Sequence, residues 1–268
     1  MGGDTGLPLG RAMPFEPGGN MNLDSLRGML SSMLNPGEAL AGKARIILTD
    51  IPVDGREAQR ILPFGVKMEN PPRARLFICS YGSSVYSGPY HEASLILNVR
   101  TFLGSGGHVC WMVVDDDTAL ILGRELLACP KKLAQIRLDE ENGRVSASVS
   151  RRGIDVIRAE AEVLEAEPSP YPVFDERVYN VGGPGQAFVV SPVWCLRLGE
   201  VIITSHSARG KVYLGDSVYD PLARVVGKSQ LEVPMRIATT DISLVRYMFP
   251  VGLAGPAWAI RTDDMRCR

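Results

Sequence analysis

The chain has 268 residues, and its 29 basic and 30 acidic side chains give a formal net charge of −1. This balance gives no electrostatic reason to expect nucleic acid or an anionic membrane as a partner. A chain of this length can bury a large core, as one large β-rich domain or as two smaller domains.

The N-terminal 40 residues predict a flexible tail followed by one helix. Residues 1–20 are rich in glycine and proline and lack the basic start and apolar core of a secretory signal. Within residues 21–40, apolar side chains recur at helical spacing between the possible cap Asn22 and the stop Asn35-Pro36-Gly37. A helix this short is marginal alone. We therefore expect it to pack on the main domain or on a sister subunit, and we expect a homo-oligomer.

Residues 41–268 predict one mainly β domain with few short helices. Runs rich in Val and Ile alternate with turn residues, and Asn142-Gly143 is a typical hairpin turn. Helices are expected over Asp54–Leu62 and about Asp117–Ala128, and Gly104-Ser105-Gly106-Gly107 is expected to be a turn. An antiparallel or mixed β-barrel or sandwich is favoured over a Rossmann-type sheet. The predicted strands are Arg45–Leu48, Arg75–Ser80, Ala93–Val99, His108–Val114, Arg144–Ser150, Gly153–Ile157, Ala187–Leu198, Val201–Ser205, Val212–Leu214 and Gln230–Ile242.

The sequence gives little indication of a metal site, a disulfide scaffold or a membrane-spanning segment. The five cysteines form no CxxC pair and no Cys/His cluster, so we expect neither a structural zinc site nor a disulfide scaffold. Asp115-Asp116-Asp117 precedes a predicted helix, and we interpret it as a cap rather than as a metal site. No apolar run is long enough to cross a bilayer, and a cytoplasmic protein is predicted.

The most informative segment is Gly123-Arg124-Glu125-Leu126-Leu127-Ala128-Cys129-Pro130-Lys131-Lys132-Leu133. A lysine that condenses with a ketone must first lose its proton, which burial or a neighbouring cation promotes. Bringing the pKa near neutrality requires about 4 to 5 kcal/mol. A cation about 6 Å away contributes about 3 kcal/mol at an effective dielectric of about 20. Lys132 alone is thus insufficient, and we expect burial to lower the pKa of Lys131 further.

This segment resembles the Schiff-base signature of the acetoacetate decarboxylase family, and Gly88-Pro89-Tyr90-His91-Glu92 is similar to the glutamate-bearing segment of that family. A weaker likeness surrounds Asp220-Pro221-Leu222-Ala223, and together the likeness covers about residues 44–240. The resemblance implies a closed, cone-like β-barrel whose interior is the active site. It implies that Lys131 is the nucleophile.

By this resemblance, the protein is a decarboxylase of a small-molecule 3-keto acid that needs no metal or organic cofactor. The imine of Lys131 would accept the electrons of the breaking C–C bond. Glu92 is the candidate for positioning or proton transfer, and the alternative is a carboxylate facing water. Lys132 would help if it pointed inward, and Arg124 would shape the site.

The segment also departs from the family pattern. Cys129 stands where the family has an aromatic residue two positions before the nucleophile, and Phe77 stands where bacterial decarboxylases have a second acid. The substrate-binding arginine falls at Ala44 or Arg45. Phe77 predicts a bulkier or more apolar substrate than acetoacetate. Two alternatives stay open: a Schiff-base aldolase, dehydratase or cyclase acting on other keto acids, and a non-catalytic small-molecule binding barrel.

Overall fold

The computed structural model describes residues 42–82, 88–167, 172, 174, 176–183, 190–215 and 217–266. The predicted tail over 1–20 and the predicted helix over 21–40 lie outside these residues. Across the described ranges, no helix combines the length and the apolar character needed to span a bilayer.

The described residues form twelve strands and five short helices, which confirms the predicted mainly β class. The strands are β1 Gly42–Pro52, β2 Lys67–Met68, β3 Arg73–Tyr81, β4 Tyr90–Thr101, β5 Gly104–Val114, β6 Lys131–Leu133, β7 Gln135–Glu141, β8 Arg144–Arg151, β9 Ile154–Ala166, β10 Arg177–Val181, β11 Ser191–Leu214 and β12 Gln230–Ala254. The helices are α1 Gly55–Ile61, α2 Asp117–Leu127, α3 Leu222–Val226, α4 Pro256–Arg261 and α5 Asp263–Arg266.

The strands form one mixed sheet that closes into a ring. The hydrogen-bonded order is β10-β5-β4-β3-β1-β12-β11-β9-β8-β7, and β10 also pairs with β11. Seven strands therefore form a closed ring, in the order β10, β5, β4, β3, β1, β12 and β11. Strands β9, β8 and β7 continue from the C-terminal half of β11, and β7 packs back on β3 and β4.

A glycine makes the ring closure possible. The segment Gly104-Ser105-Gly106-Gly107 begins β5, so the prediction of a turn there is wrong. A Cβ on Gly106 would lie 2.4 Å from the carbonyl oxygen of Arg177 in β10. Because such a distance is impossible for a side chain, glycine permits the close approach of two backbones. The parallel pairing of Gly107 with Val178 then joins β5 to β10.

The two faces of the ring strands serve two different cores. Because strand side chains alternate, Ile47 and Ile51 of β1 enter the larger core, which the ring shares with β7–β9. On the opposite face, Ile46 and Leu48 join a second buried cluster with Phe77. Since β7–β9 lie outside the ring, this second cluster fills its interior.

The helices predicted over Asp54–Leu62 and Asp117–Ala128 are confirmed as α1 and α2, and so is the hairpin. Asp54 caps α1 by accepting from the backbone N–H groups of Arg56 and Glu57. The Asn142-Gly143 turn joins β7 to β8 with φ of 50° and 73°. The strands predicted as Ala187–Leu198, Val201–Ser205 and Val212–Leu214 belong, where the structure describes them, to one continuous strand, β11, which runs from the ring to its pairing with β9.

Candidate active site

Lys131 is placed by the end of α2 and by the short strand β6. The helix begins at the cap Asp116, whose carboxylate accepts from the Ala119 N–H at 2.7 Å, so the capping interpretation of the aspartates is confirmed there. It ends where Ala128 adopts a left-handed conformation with φ of 55°, and the Cys129 N–H donates to the Gly123 carbonyl. After Pro130 the chain enters β6, which pairs with β5 in parallel.

The Lys131 side chain enters the ring and meets Glu92. Its Nζ lies 2.7 Å from Oε2 of Glu92, and the two side chains are 7% and 6% exposed. The Tyr90 ring lies 5.5 Å from the same nitrogen. Tyr90 in turn stacks on Tyr81 with ring centroids 4.7 Å apart. His91, the preceding residue of β4, points to the opposite face, where its Nδ1 lies 2.7 Å from Oδ2 of Asp115.

A glycine in α2 makes room for the lysine. A Cβ on Gly123 would lie 2.4 Å from Cδ and Cε of Lys131 and 2.9 Å from its Nζ. Any larger residue at this position would therefore collide with the lysine side chain. The glycine of the Gly-Arg-Glu sequence thus has a steric role that its helix position alone does not reveal.

Two opposing effects decide the charge of Lys131. Burial acts to lower its pKa, but the negative charge and the hydrogen bond of Glu92 act against burial, and the pKa ends above its usual 10.5. The prediction of a lowered pKa is therefore wrong for this arrangement. The reason is that the sequence shows the apolar neighbours of Lys131 but not the carboxylate that the fold places against it.

Neighbouring groups at this site stay neutral near pH 7. Burial raises the pKa of the Cys129 thiol to about 12. Burial and the nearby charge of Glu92 raise the pKa of Tyr90 well above its usual value. The Lys131–Glu92 pair therefore lies among protonated, uncharged side chains.

Lys132 has partners on the opposite face of β6. Its Nζ lies 2.5 Å from Oδ1 of Asp220 and 3.3 Å from the Tyr219 carbonyl oxygen. Asp220 also accepts from Arg151 Nη1 at 2.9 Å and from Trp111 Nε1 at 2.8 Å. Lys132 therefore does not meet the condition under which it would help, an inward side chain, because consecutive strand residues point to opposite faces.

The remaining predicted site residues divide into two groups. Arg124 Nη1 donates to the Lys131 carbonyl at 3.0 Å, and the Cys129 thiol lies 3.4 Å from Nδ2 of Asn180. Phe77 lines the ring interior in an edge contact with Phe174. Arg45, in contrast, forms two hydrogen bonds with Glu140.

The position of Arg45 corrects its prediction as a substrate-binding residue. It belongs to the face of β1 opposite the ring interior, and the register of β1 instead places Ala44 on the face of Lys131. The sequence alone left this choice open, since a one-residue difference in strand register exchanges the two faces.

A cavity of about 920 Å³ borders Lys131 on the side of β6 and the β8–β9 turn. Its charged lining is mostly basic: Arg124, Lys131, Lys132, Arg151, Arg152 and Asp115. Such a lining favours an anionic ligand. Among the residues that the structure describes, no three His, Cys, Asp or Glu side chains group together as a metal site.

Sequence reasoning missed three residues of this region. Asn180 links the turn before Lys131 to β5, since its Nδ2 donates to the Leu127 carbonyl and its Oδ1 accepts from the Val109 N–H. Arg151 lies in the Asp220 network, and Gly123 was seen only as part of a motif. These contacts join residues far apart in sequence, and no local signal announces them.

Comparison with known proteins agrees with this geometry. The buried lysine and its carboxylate partner inside a closed β-ring make this pair the candidate functional site. The acetoacetate decarboxylase (ADC) family model matches residues 29–248, so the chain belongs to that family. Decarboxylase DEC1 of Cochliobolus heterostrophus (strain C4 / ATCC 48331 / race T) is 32% identical over 100 residues. That match covers 37% of this chain and only 39% of the relative.

Solved structures share the fold. Acetoacetate decarboxylase from Legionella pneumophila subsp. pneumophila str. Philadelphia 1 has a TM-score of 0.65 and 19% identity, covering 80% of this chain and 87% of that chain. The enduracididine biosynthesis enzyme MppR, complexed with the condensation product of pyruvate and imidazole 4-carboxaldehyde, has a TM-score of 0.67 and 15% identity. It covers 90% of this chain and 98% of its own.

Proposed function

We propose that the protein is a carbon-carbon lyase that forms a Schiff base between Lys131 and a keto acid, and that it decarboxylates a 3-keto acid. The observation that carries the proposal is the buried Lys131–Glu92 pair, with 2.7 Å between nitrogen and oxygen. The pair lies at the end of the family's lysine segment and inside the family's fold. A buried amine beside a proton acceptor meets the two requirements of imine formation.

The reaction begins with a proton transfer. The Lys131 ammonium gives a proton to Glu92, and the neutral amine attacks the keto carbon of the substrate. The addition product takes up a proton and loses water, which leaves a cationic imine. Because the proton moves within the pair, the neutral amine can form even though the pKa of Lys131 is not lowered in the unliganded protein.

The C–C bond then breaks. Its electron pair moves to the cationic imine as carbon dioxide leaves, and an enamine remains. Protonation of the enamine carbon by Glu92 regenerates a cationic imine, and water hydrolyses it to the product ketone and the free lysine. The imine itself is the electron sink, so the proposed chemistry calls for no metal or organic cofactor.

The proposed substrate is an acid with an apolar body. The basic lining of the cavity beside Lys131 favours an anion. The ring interior presents Phe77, Leu48, Ile46 and Phe174, which favour a chain longer than that of acetoacetate.

Borohydride reduction tests the proposal. The protein is incubated with a panel of 3-keto acids and reduced, and carbon dioxide is followed in parallel samples without reductant. We expect a covalent adduct on Lys131 and carbon dioxide release that both vanish in Lys131→Ala. Lys67→Ala, which removes an exposed lysine in β2, should behave like wild type. Release of carbon dioxide by Lys131→Ala would contradict the proposal.

A second candidate is an aldol-type or dehydrating enzyme that uses the same imine. Phe77 favours it, because the second acid of bacterial decarboxylases is replaced by an apolar side chain. MppR, whose structure holds a condensation product of pyruvate and an aldehyde, shows that this fold accommodates such compounds. This function predicts trapping with pyruvate-like substrates and aldehyde consumption without carbon dioxide.

A further inference from the structure

We propose that Asp220 decides which of the two adjacent lysines reacts: by holding Lys132 outside the ring, it maintains the strand register that turns Lys131 inward. Asp220 is a positioning residue in this proposal, since it acts through β6 and not on the substrate. The inference rests on the proposed function of Lys131 as the imine-forming lysine.

The first argument is the ambiguity of β6. The strand has three residues, and its described pairing is with β5. A one-residue slip would turn Lys132 inward, in place of Lys131, and Leu133 outward. Because both lysines have the same side chain, the inner site would accept either. Leu133 would then face the outer core near Trp111 and Val113, where an apolar side chain is acceptable.

The second argument is the geometry of Asp220. The residue is 1% exposed, and its two oxygens accept from Lys132, Arg151 and Trp111 at 2.5 to 2.9 Å. These donors come from β6, β8 and β5. In the slipped register Leu133 would replace Lys132 at this carboxylate and leave its lysine contact unmade. Such a loss is costly in a buried ionic network.

Arginine contacts with the backbone of β6 support the same register. Arg124 Nη1 donates to the Lys131 carbonyl at 3.0 Å, and Arg151 Nε donates to the Leu133 carbonyl at 3.2 Å. Arg151 therefore binds both Asp220 and the strand that Asp220 holds. The network thus connects the side chain of Lys132 to the backbone position of Lys131.

The groups that face each lysine are different in kind. Inside the ring, Lys131 faces Glu92 and Tyr90 of β4, Cys79 of β3 and the Cys129 thiol. Outside, Lys132 faces Asp220, with Arg151 and Trp111 bound to the same carboxylate. Removal of the Asp220 charge therefore alters the outer site directly and reaches the inner site through the strand.

The test locates the borohydride adduct in full-length variants with a keto acid that labels the wild type. Because the lysines are adjacent, fragmentation of the labelled peptide must assign the modified residue. We expect at least nine-tenths of the label on Lys131 in wild type and a fraction of about one-third or more on Lys132 in Asp220→Asn. In Asp220→Asn/Lys132→Met, the label should return to Lys131. Asp139→Asn, an exposed control, should match wild type.

A folded Asp220→Asn variant with label on Lys131 alone, at the wild-type yield, would overturn the inference. If Asp220→Asn loses label and circular dichroism signal to the same extent, the variant has unfolded, and the loss of label reflects a merely structural role. In that case Lys131→Met, which leaves the Asp220 network intact, decides: no adduct supports the inference, and an adduct on Lys132 overturns it. A wild-type protein without any adduct would instead contradict the proposed function.

Discussion

The inner and outer faces of β6 hold two buried lysine–carboxylate pairs that differ in the groups surrounding the carboxylate. Both lysines are nearly inaccessible, with residue exposures of 6% and 5%. Lys131 meets Glu92 among tyrosine and cysteine side chains that are uncharged near neutral pH. Lys132 meets a carboxylate that also binds a guanidinium group and an indole N–H.

Under the proposed function, this difference separates a reactive pair from a structural one. In the proposed mechanism a proton moves from Lys131 to Glu92, and among the described residues Lys131 is the cation that contacts this carboxylate. Asp220, in contrast, contacts the guanidinium group of Arg151 as well as Lys132, and an arginine keeps its charge at every pH that proteins meet. Burial alone therefore does not make a nucleophile. The partners of the carboxylate matter as much as the exposure of the amine.

The largest effect is expected from Glu92→Gln, which breaks the inner pair. Loss of the proton acceptor should reduce turnover about a thousandfold near pH 7. With the carboxylate gone, burial is no longer opposed, and the pKa of Lys131 should fall below its usual 10.5. The pH dependence of imine trapping measures this fall, and Glu141→Gln on the exposed β7 edge is the control. An unchanged pH profile would contradict the account of the pair.

A smaller loss is expected from Gly123→Ala, which displaces Lys131 without altering any charge. The added methyl group would lie 2.4 Å from two lysine carbons, so the amine must move. A displacement of about 1 Å can cost about a hundredfold in rate. Alanine is favourable in a helix, so the fold should persist in circular dichroism. Gly255→Ala, whose Cβ meets nothing within 4 Å, is the matched control and should keep full activity.

A change of about tenfold is expected in substrate preference. Each buried methylene contributes about 0.8 kcal/mol, so a 3-keto acid two carbons longer than acetoacetate should have about a tenfold higher kcat/KM. Phe77→Leu should reduce this preference, whereas Phe64→Leu, at a residue that is 95% exposed, should not. Equal kcat/KM values of the wild type for acetoacetate and for the longer 3-keto acid would contradict the prediction of an apolar substrate.

The smallest effect concerns stability at high pH. The folded-state pKa of Lys131 lies above its usual value, so the folded protein holds this proton more tightly than the unfolded chain. The resulting stabilisation is fully present below pH 10.5 and is lost as pH rises through the folded-state pKa. Urea unfolding between pH 9 and 12 should show a steeper decline for wild type than for Lys131→Met. Parallel declines would contradict the raised pKa.

Local patterns predicted the parts of the site that neighbouring residues create. Asp116 caps α2, as the interpretation of the three aspartates predicted, and Pro130 precedes β6. The helix predicted from Asp54 forms with Asp54 as its cap. The apolar residues that flank Lys131 in the sequence also predicted its apolar environment. They did not predict the direction of its pKa shift, because Glu92 lies 39 positions earlier and reaches the lysine only through the pairing of β4 with β5.

Strand register decided the rest. Arg45 and Ala44 were equal candidates until the pairing of β1 assigned them to opposite faces, and the sequence left the direction of Lys132 open. Because strand side chains alternate between the two faces, a register shift of one residue reverses the face assigned to every side chain. No local feature of the sequence distinguishes the two registers of a Lys-Lys pair.

By itself, the amino-acid sequence determined the mainly β class, the positions of α1 and α2 and the segment that carries Lys131, because caps, turns and hydrophobic spacing act between near neighbours. Only the tertiary structure decided the closure of the ring at Gly106 and the assignment of Glu92 to Lys131 and of Asp220 to Lys132. Asp220 and Lys132 are 88 positions apart. Contacts across such distances arise from the packing of the whole chain, to which each local segment contributes only a part.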